Sequence, residues 1–174
     1  QLANESIQVE QDILNETVGS QDQVNAAYGG FNHITFHQSG EISVRPVIIP
    51  PDRLEELSSH LMLFYTGIKR TADKVAGSYV PSLEAKRRQL RILRDMVEEA
   101  LSILCGHGPI KEYGKLLHEG WLTKQAISDK ISNAAIAELY DAARSAGAIG
   151  GKITVAGGGG FMLLFVPPQH QPEV

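Results

Sequence analysis

The chain has 174 residues and a net charge of −4, with 43% apolar and 21% charged residues. That is the composition of a water-compatible globular protein, long enough to bury a core in one or two domains. The acidic balance argues against nucleic acid as a partner, and no apolar run reaches membrane-spanning length.

The single cysteine, Cys105, excludes an internal disulfide framework. It fits a reducing, cytoplasmic compartment and is expected to pack at a helix end. The chain begins without Met inside an apparent helix and stops just past a strand, a pattern expected of a piece of a longer polypeptide.

Residues 2–14 are predicted helical, with Ile7, Val9, Ile13 and Leu14 apolar among polar neighbours. A loop leads to "QDQVNAAY", a short helix closed by Gly29 and Gly30. "FNHITFH" and "EISVRPVII" are strand-like, and the glycine turn "QSG" joins them as a hairpin. "IPPDRLEEL" marks a boundary and starts a helix on paired prolines. "HLMLFYTGI" is a continuous apolar run, as in a strand buried on both faces.

From Ser82 the pattern is helical, with Leu83, Leu90, Leu93, Val97, Leu101 and Leu104 recurring until Cys105-Gly106. The next helix follows Pro109 and carries Ile110, Tyr113, Leu117 and Trp121. Another covers residues 128–146, with Ile131, Ala135, Leu139 and Ala142 inward and Gly147 as its stop. "KITVA" and "FMLLFV" are strands separated by four glycines. The sum is α+β, a sheet with helices packed on one face.

Asp22 is the one charge in "VGSQDQVNAAYGG". Ser20 with Gln23 has the S-x-x-Q spacing of a capping box, which puts Asp22 in the first helical turn. The helix dipole favours an anion there by about 0.3–1 kcal/mol, so stabilisation alone accounts for it. The small, glycine-flanked surroundings add room for a ligand, and the Gln21 and Gln23 amides suit a polyol. Upstream, Glu10 is either a solvated helix residue or the one carboxylate that Mg²⁺ needs beside substrate phosphates. His33 and His37 share a strand face but lie about 13 Å apart, too far to share a metal.

In "GAIGGKITVAGGGGFMLLFV", Gly157, Gly158, Gly159 and Gly160 are more than a hairpin needs, which favours a backbone nest for an anion. The order helix–glycine–strand excludes a Walker loop. Thr66, Lys69 and Arg70 follow the apolar strand, where they either hold an anionic substrate group or are merely solvated. The basic run from Lys86 to Arg94 alternates with acids and reads as a solvated face.

"VEQDILNETVGSQDQVNAAYGGFNHITF", "MLFYTGIKRTA" and "LHEGWLTKQAISDKISNAAIAELYDAARSAGAIGGKITVAGGGGFMLLFVPP" together resemble the GHMP kinase superfamily. Within it, the likeness is greatest to the bacterial D-glycero-D-manno-heptose 7-phosphate kinases. The resemblance implies the end of a GHMP N-terminal, ribosomal-protein-S5-like domain in residues 1–50. A ferredoxin-like C-terminal domain would occupy residues 51–174. It further implies ATP-dependent transfer to the anomeric hydroxyl of a heptose 7-phosphate. Asp22 then takes the catalytic position, Glu10 the Mg²⁺ position and Gly157 to Gly160 the glycine motif that closes over the phosphates. Gln21, Thr66, Lys69 and Arg70 fall near the substrate. ATP and a sugar phosphate are the implied partners, with a homodimer allowed. An L-fucose-type or hexose kinase and a non-catalytic ferredoxin-like binding module are the alternatives. The family's Pro-x-x-x-Gly-x-Gly/Ser-Ser-Ser phosphate loop is not found in these 174 residues, so alone they are expected to lack kinase activity.

Overall fold

The structure, a computed structural model, describes residues 1–69, 75–78, 80–154 and 157–174. The chain divides into two compact units, Gln1–Ile48 and Ile49–Val174.

In the first unit, helix α1 (Leu2–Gln8) runs directly into a π-helical turn (Val9–Ile13). There the Leu14 N–H donates to the Val9 carbonyl at 2.9 Å, five residues back. Such turns are rare and concentrate at functional sites. Asn15 then takes a positive φ of 54°, a conformation asparagine tolerates, and the helical path ends. Helix α2 (Gln21–Tyr28) follows as expected, stopped by Gly29. Strands β1 (Asn32–Phe36) and β2 (Ile42–Pro46) form the predicted antiparallel hairpin, with Phe36 opposite Ile42. Ala3 and Val24 are the buried apolar anchors of this unit.

The second unit begins with α3 (Pro51–His60), which has proline at its first position. Strand β3 (Leu61–Tyr65) comes next, then a 3₁₀ stretch (Val80–Lys86) and α4 (Arg87–Cys105). Helices α5 (Lys111–Gln125) and α6 (Ala134–Ser145) lead to β4 (Gly150–Ile153) and β5 (Phe161–Phe165). The three strands form one antiparallel sheet in the order β3-β5-β4. Successive strand residues point to opposite faces. Met162, Leu164 and Ile153 join a core with Ile136, Tyr140 and Ala143 of α6. Phe165 packs instead with Leu57, Leu104 and Ile110. Helices therefore cover both faces of the sheet rather than one.

Four further expectations change. The run 61–65 is an edge strand, with Leu63 59% and Tyr65 55% exposed, whereas the central strand is β5. Position in a sheet depends on partners distant in sequence, so an apolar run alone does not give it. Along α6 the buried residues are Ile136, Tyr140 and Ala143, one position on from the predicted Ala135, Leu139 and Ala142. The aromatic ring of Tyr140, more than the alanines, sets which side faces in. Of the α4 stripe only Leu104 is buried, while Leu90 and Val97 stay partly exposed. Cys105 is exposed rather than packed.

Candidate active site

Entry into α2 is organised by amides from the preceding helical segment. Ser20 holds the N-cap position, but its side chain makes no capping bond. Its Oγ instead accepts from Gln11 Nε2 at 3.3 Å, and the same amide donates to the Val18 carbonyl at 2.9 Å. Gln23, the expected capping-box partner, donates its Nε2 to Glu10 Oε2. Its Oε1, the atom a capping box would use, is buried without a hydrogen-bond partner. The capping box does not form, because a bond to a carboxylate is stronger than one between neutral groups and fixes the Gln23 rotamer.

That leaves Gln21 and Asp22 exposed on the first turn of α2. Asp22 makes no hydrogen bond or ion pair among the described residues. Glu10 lies in the π-helical turn, half-buried, with Oε2 engaged by Gln23. No group of three or more His, Cys, Asp or Glu among the described residues forms a metal cage. One carboxylate with an oxygen to offer nonetheless fits Mg²⁺, which takes its other ligands from phosphates and water.

In the second unit, the glycines leading into β5 are braced from two sides. Gly158 N–H donates to the Ile131 carbonyl at 2.7 Å, and Gly160 N–H to the Ile68 carbonyl at 2.8 Å. The Gly160 carbonyl accepts from the Thr66 N–H at 2.9 Å and from Thr66 Oγ1 at 2.8 Å. Gly157 has a φ of +105°, and a Cβ there would lie 2.8 Å from the Ile131 carbonyl oxygen. A Cβ on Gly159 would overlap the Ile68 carbonyl. The nest expectation is thus narrowed: alternate amides anchor the loop, while those of Gly157 and Gly159 have no acceptor among the described residues. Thr66 is first a strut of this loop, Lys69 is exposed beyond it, and Arg70 lies outside the described residues.

Residues 97–174 match the family described as GHMP kinases C terminal. That stretch is similar to a GHMP kinase C-terminal domain. It is 28% identical over 170 residues to the D-glycero-alpha-D-manno-heptose 7-phosphate kinase of Campylobacter jejuni, covering 97% of this chain and 50% of that protein. It is 30% identical over 163 residues to the mevalonate kinase of Thermococcus sibiricus, covering 88% of this chain and 44% of that protein. The crystal structure of a D-glycero-D-manno-heptose 1-phosphate kinase from Bacteroides thetaiotaomicron matches with a TM-score of 0.66 at 26% identity, over 98% of this chain and 45% of that one. The chain spans about half the length of the curated relatives it matches.

The glycine loop falls inside the matched GHMP kinase domain, and Glu10 and Asp22 lie in the stretch shared with the heptose kinase. Asn133 was not foreseen. It caps α6 by accepting from the Ile136 N–H at 3.1 Å, and its Nδ2 reaches the Gly158 carbonyl at 3.4 Å. An asparagine just before "AAIAEL" was the available signal. Elsewhere on α5 and α6, His118 Nδ1 and the Tyr140 hydroxyl share a 2.8 Å hydrogen bond. Burial, then the nearby Arg144 charge, hold the His118 imidazole below its ordinary value. Burial pushes the Tyr140 hydroxyl up to about 12.

Proposed function

We propose that these residues serve an ATP-dependent sugar kinase that phosphorylates the anomeric hydroxyl of a heptose 7-phosphate, giving the 1,7-bisphosphate. The observation that carries this reading is Asp22, a carboxylate on the first turn of a helix, exposed and unpartnered among the described residues. Likeness to the Campylobacter jejuni heptose 7-phosphate kinase along nearly the whole chain supports the acceptor.

Phosphoryl transfer asks mainly for positioning and charge stabilisation. The sugar oxygen bonds to the γ-phosphorus as the bond to the leaving ADP oxygen breaks. Asp22 accepts a hydrogen bond from the sugar hydroxyl, aims it, and takes its proton late in that exchange. Glu10 is the residue that would hold Mg²⁺, which would supply charge neutralisation for the phosphates. The Gly157 and Gly159 amides donate to phosphate oxygens. Lys69 and Arg70 are assigned, on the sequence pattern alone, to the acceptor's own phosphate.

Converting Asp22 to Asn in the full-length protein is expected to collapse turnover with heptose 7-phosphate while leaving acceptor binding within a few-fold. Near-normal turnover overturns the role. A second reading draws on the mevalonate kinase likeness: the same residues acting on another alcohol. A panel of heptose 7-phosphate, plain hexoses including fucose, and mevalonate separates the two. Transfer to none of them by the full-length protein would favour the non-catalytic module.

A further inference from the structure

We infer that Gln23 is a positioning residue for the cation ligand Glu10, an inference that rests on the kinase reading above. Gln23 sits in the first turn of α2, where an amide side chain would ordinarily reach water. Here it is only 7% exposed, and its one side-chain partner is the carboxylate of Glu10, thirteen residues earlier. The amide cannot be reversed, because its oxygen would then face the carboxylate. In the orientation found, Oε1 is buried with no hydrogen-bond partner, an arrangement that costs free energy and is rarely kept without a use.

A second, independent device converges on the same carboxylate. Glu10 lies in the π-helical turn, which inserts an extra residue into the helical path. The turn is closed by the Leu14 N–H to Val9 carbonyl bond, and the Glu10 carbonyl itself accepts from the Glu16 N–H at 2.9 Å. A glutamate that only faced solvent would need neither a widened turn nor a buried amide. Together they fix its rotamer, engage Oε2 and leave Oε1 to bind. Gln11 completes the frame by tying the 14–20 connection back through the Val18 carbonyl and Ser20 Oγ. Residues that orient a metal ligand in this way commonly change metal affinity 10–100-fold when removed.

The test measures Mn²⁺ binding by electron paramagnetic resonance in the full-length protein with a non-hydrolysable ATP analogue. Gln23→Met, which keeps the side-chain length, is expected to weaken Mn²⁺ binding about 10–100-fold. Raised Mg²⁺ should then restore kcat, so the defect appears in the metal requirement rather than in turnover. In a Glu10→Gln background the Gln23→Met change should add nothing. Affinity within twofold of wild type, or an equal loss in both backgrounds, overturns the inference. Should Gln23→Met fail to fold, the wild-type protein still decides: substoichiometric Mn²⁺ must broaden the Gln23 side-chain NH₂ resonances, and unaffected resonances overturn the inference. Wild-type protein that neither binds Mn²⁺ with nucleotide nor transfers phosphate overturns the kinase reading as well. Active wild-type protein whose metal affinity ignores Gln23 overturns this inference alone.

Discussion

Around Asp22 the groups on offer to a ligand are side chains on a short helix, whereas around Gly157–Gly160 they are backbone amides. The first region leaves Gln21 and Asp22 exposed, outside the packing of their unit. The second packs its backbone so closely that added carbons at Gly157 and Gly159 meet carbonyl groups. Function and stability should therefore separate in the first region and coincide in the second.

The largest effect expected is at Asp22. Asp22→Asn should lower turnover about 10²–10⁴-fold, equivalent to about 3–5 kcal/mol of barrier. Its melting temperature should fall only slightly, since the charge removed from the first turn of α2 contributes about 0.3–1 kcal/mol. Steady-state kinetics beside a thermal melt checks both halves, and a large loss of stability would break the contrast. Gly159→Ala is expected to do the reverse, destabilising by about 1–3 kcal/mol through overpacking against Ile68, with activity lost along with fold. Denaturant titration measures it; a stable but inactive protein would show that this loop, too, is separable.

Smaller again is Asn133→Ala, expected to cost about 1 kcal/mol through loss of the α6 cap. It should also loosen the glycine loop through the Gly158 carbonyl, seen as faster amide exchange there. The smallest effect concerns His118, away from both regions. Its imidazole is held below the ordinary 6.5, so the unfolded chain binds the proton more readily. Stability is therefore full above about pH 6.5 and falls as the pH drops through the lower folded value. His118→Gln should flatten that acid limb in melts between pH 8 and pH 4. Tyr140 acts at the other end, with stability falling as pH rises from 10 to about 12.

What the sequence disclosed follows the range of the interactions. Helix α2 was legible to its ends, because small polar residues open it and Gly29 and Gly30 close it locally. The β1–β2 hairpin was legible for the same reason. The capping box failed because Glu10 and Gln11, outside the S-x-x-Q window, offered bonds that the window cannot contain. Strand β3 looks central because composition reports apolarity, not neighbours; β5, far along the chain, takes that place. The glycines were recognisable as a motif, yet their anchors at Ile68 and Ile131 carry no pattern, since carbonyl groups are common to every residue. Residue type and family likeness point to Glu10 and Asp22, while the Gln23 bond between their segments leaves no trace in the sequence pattern.

The double hydrogen bond from Thr66 to the Gly160 carbonyl joins residues 94 apart in sequence. The bonds that frame Glu10 and α2 join residues 7, 9 and 13 apart. Loop-closure entropy delays distant pairings until the intervening chain is ordered. The frame around the carboxylates can thus form as soon as its own two dozen or so residues have been synthesised. The Thr66 clasp must wait for α4, α5 and α6, which makes the glycine loop a late product of folding.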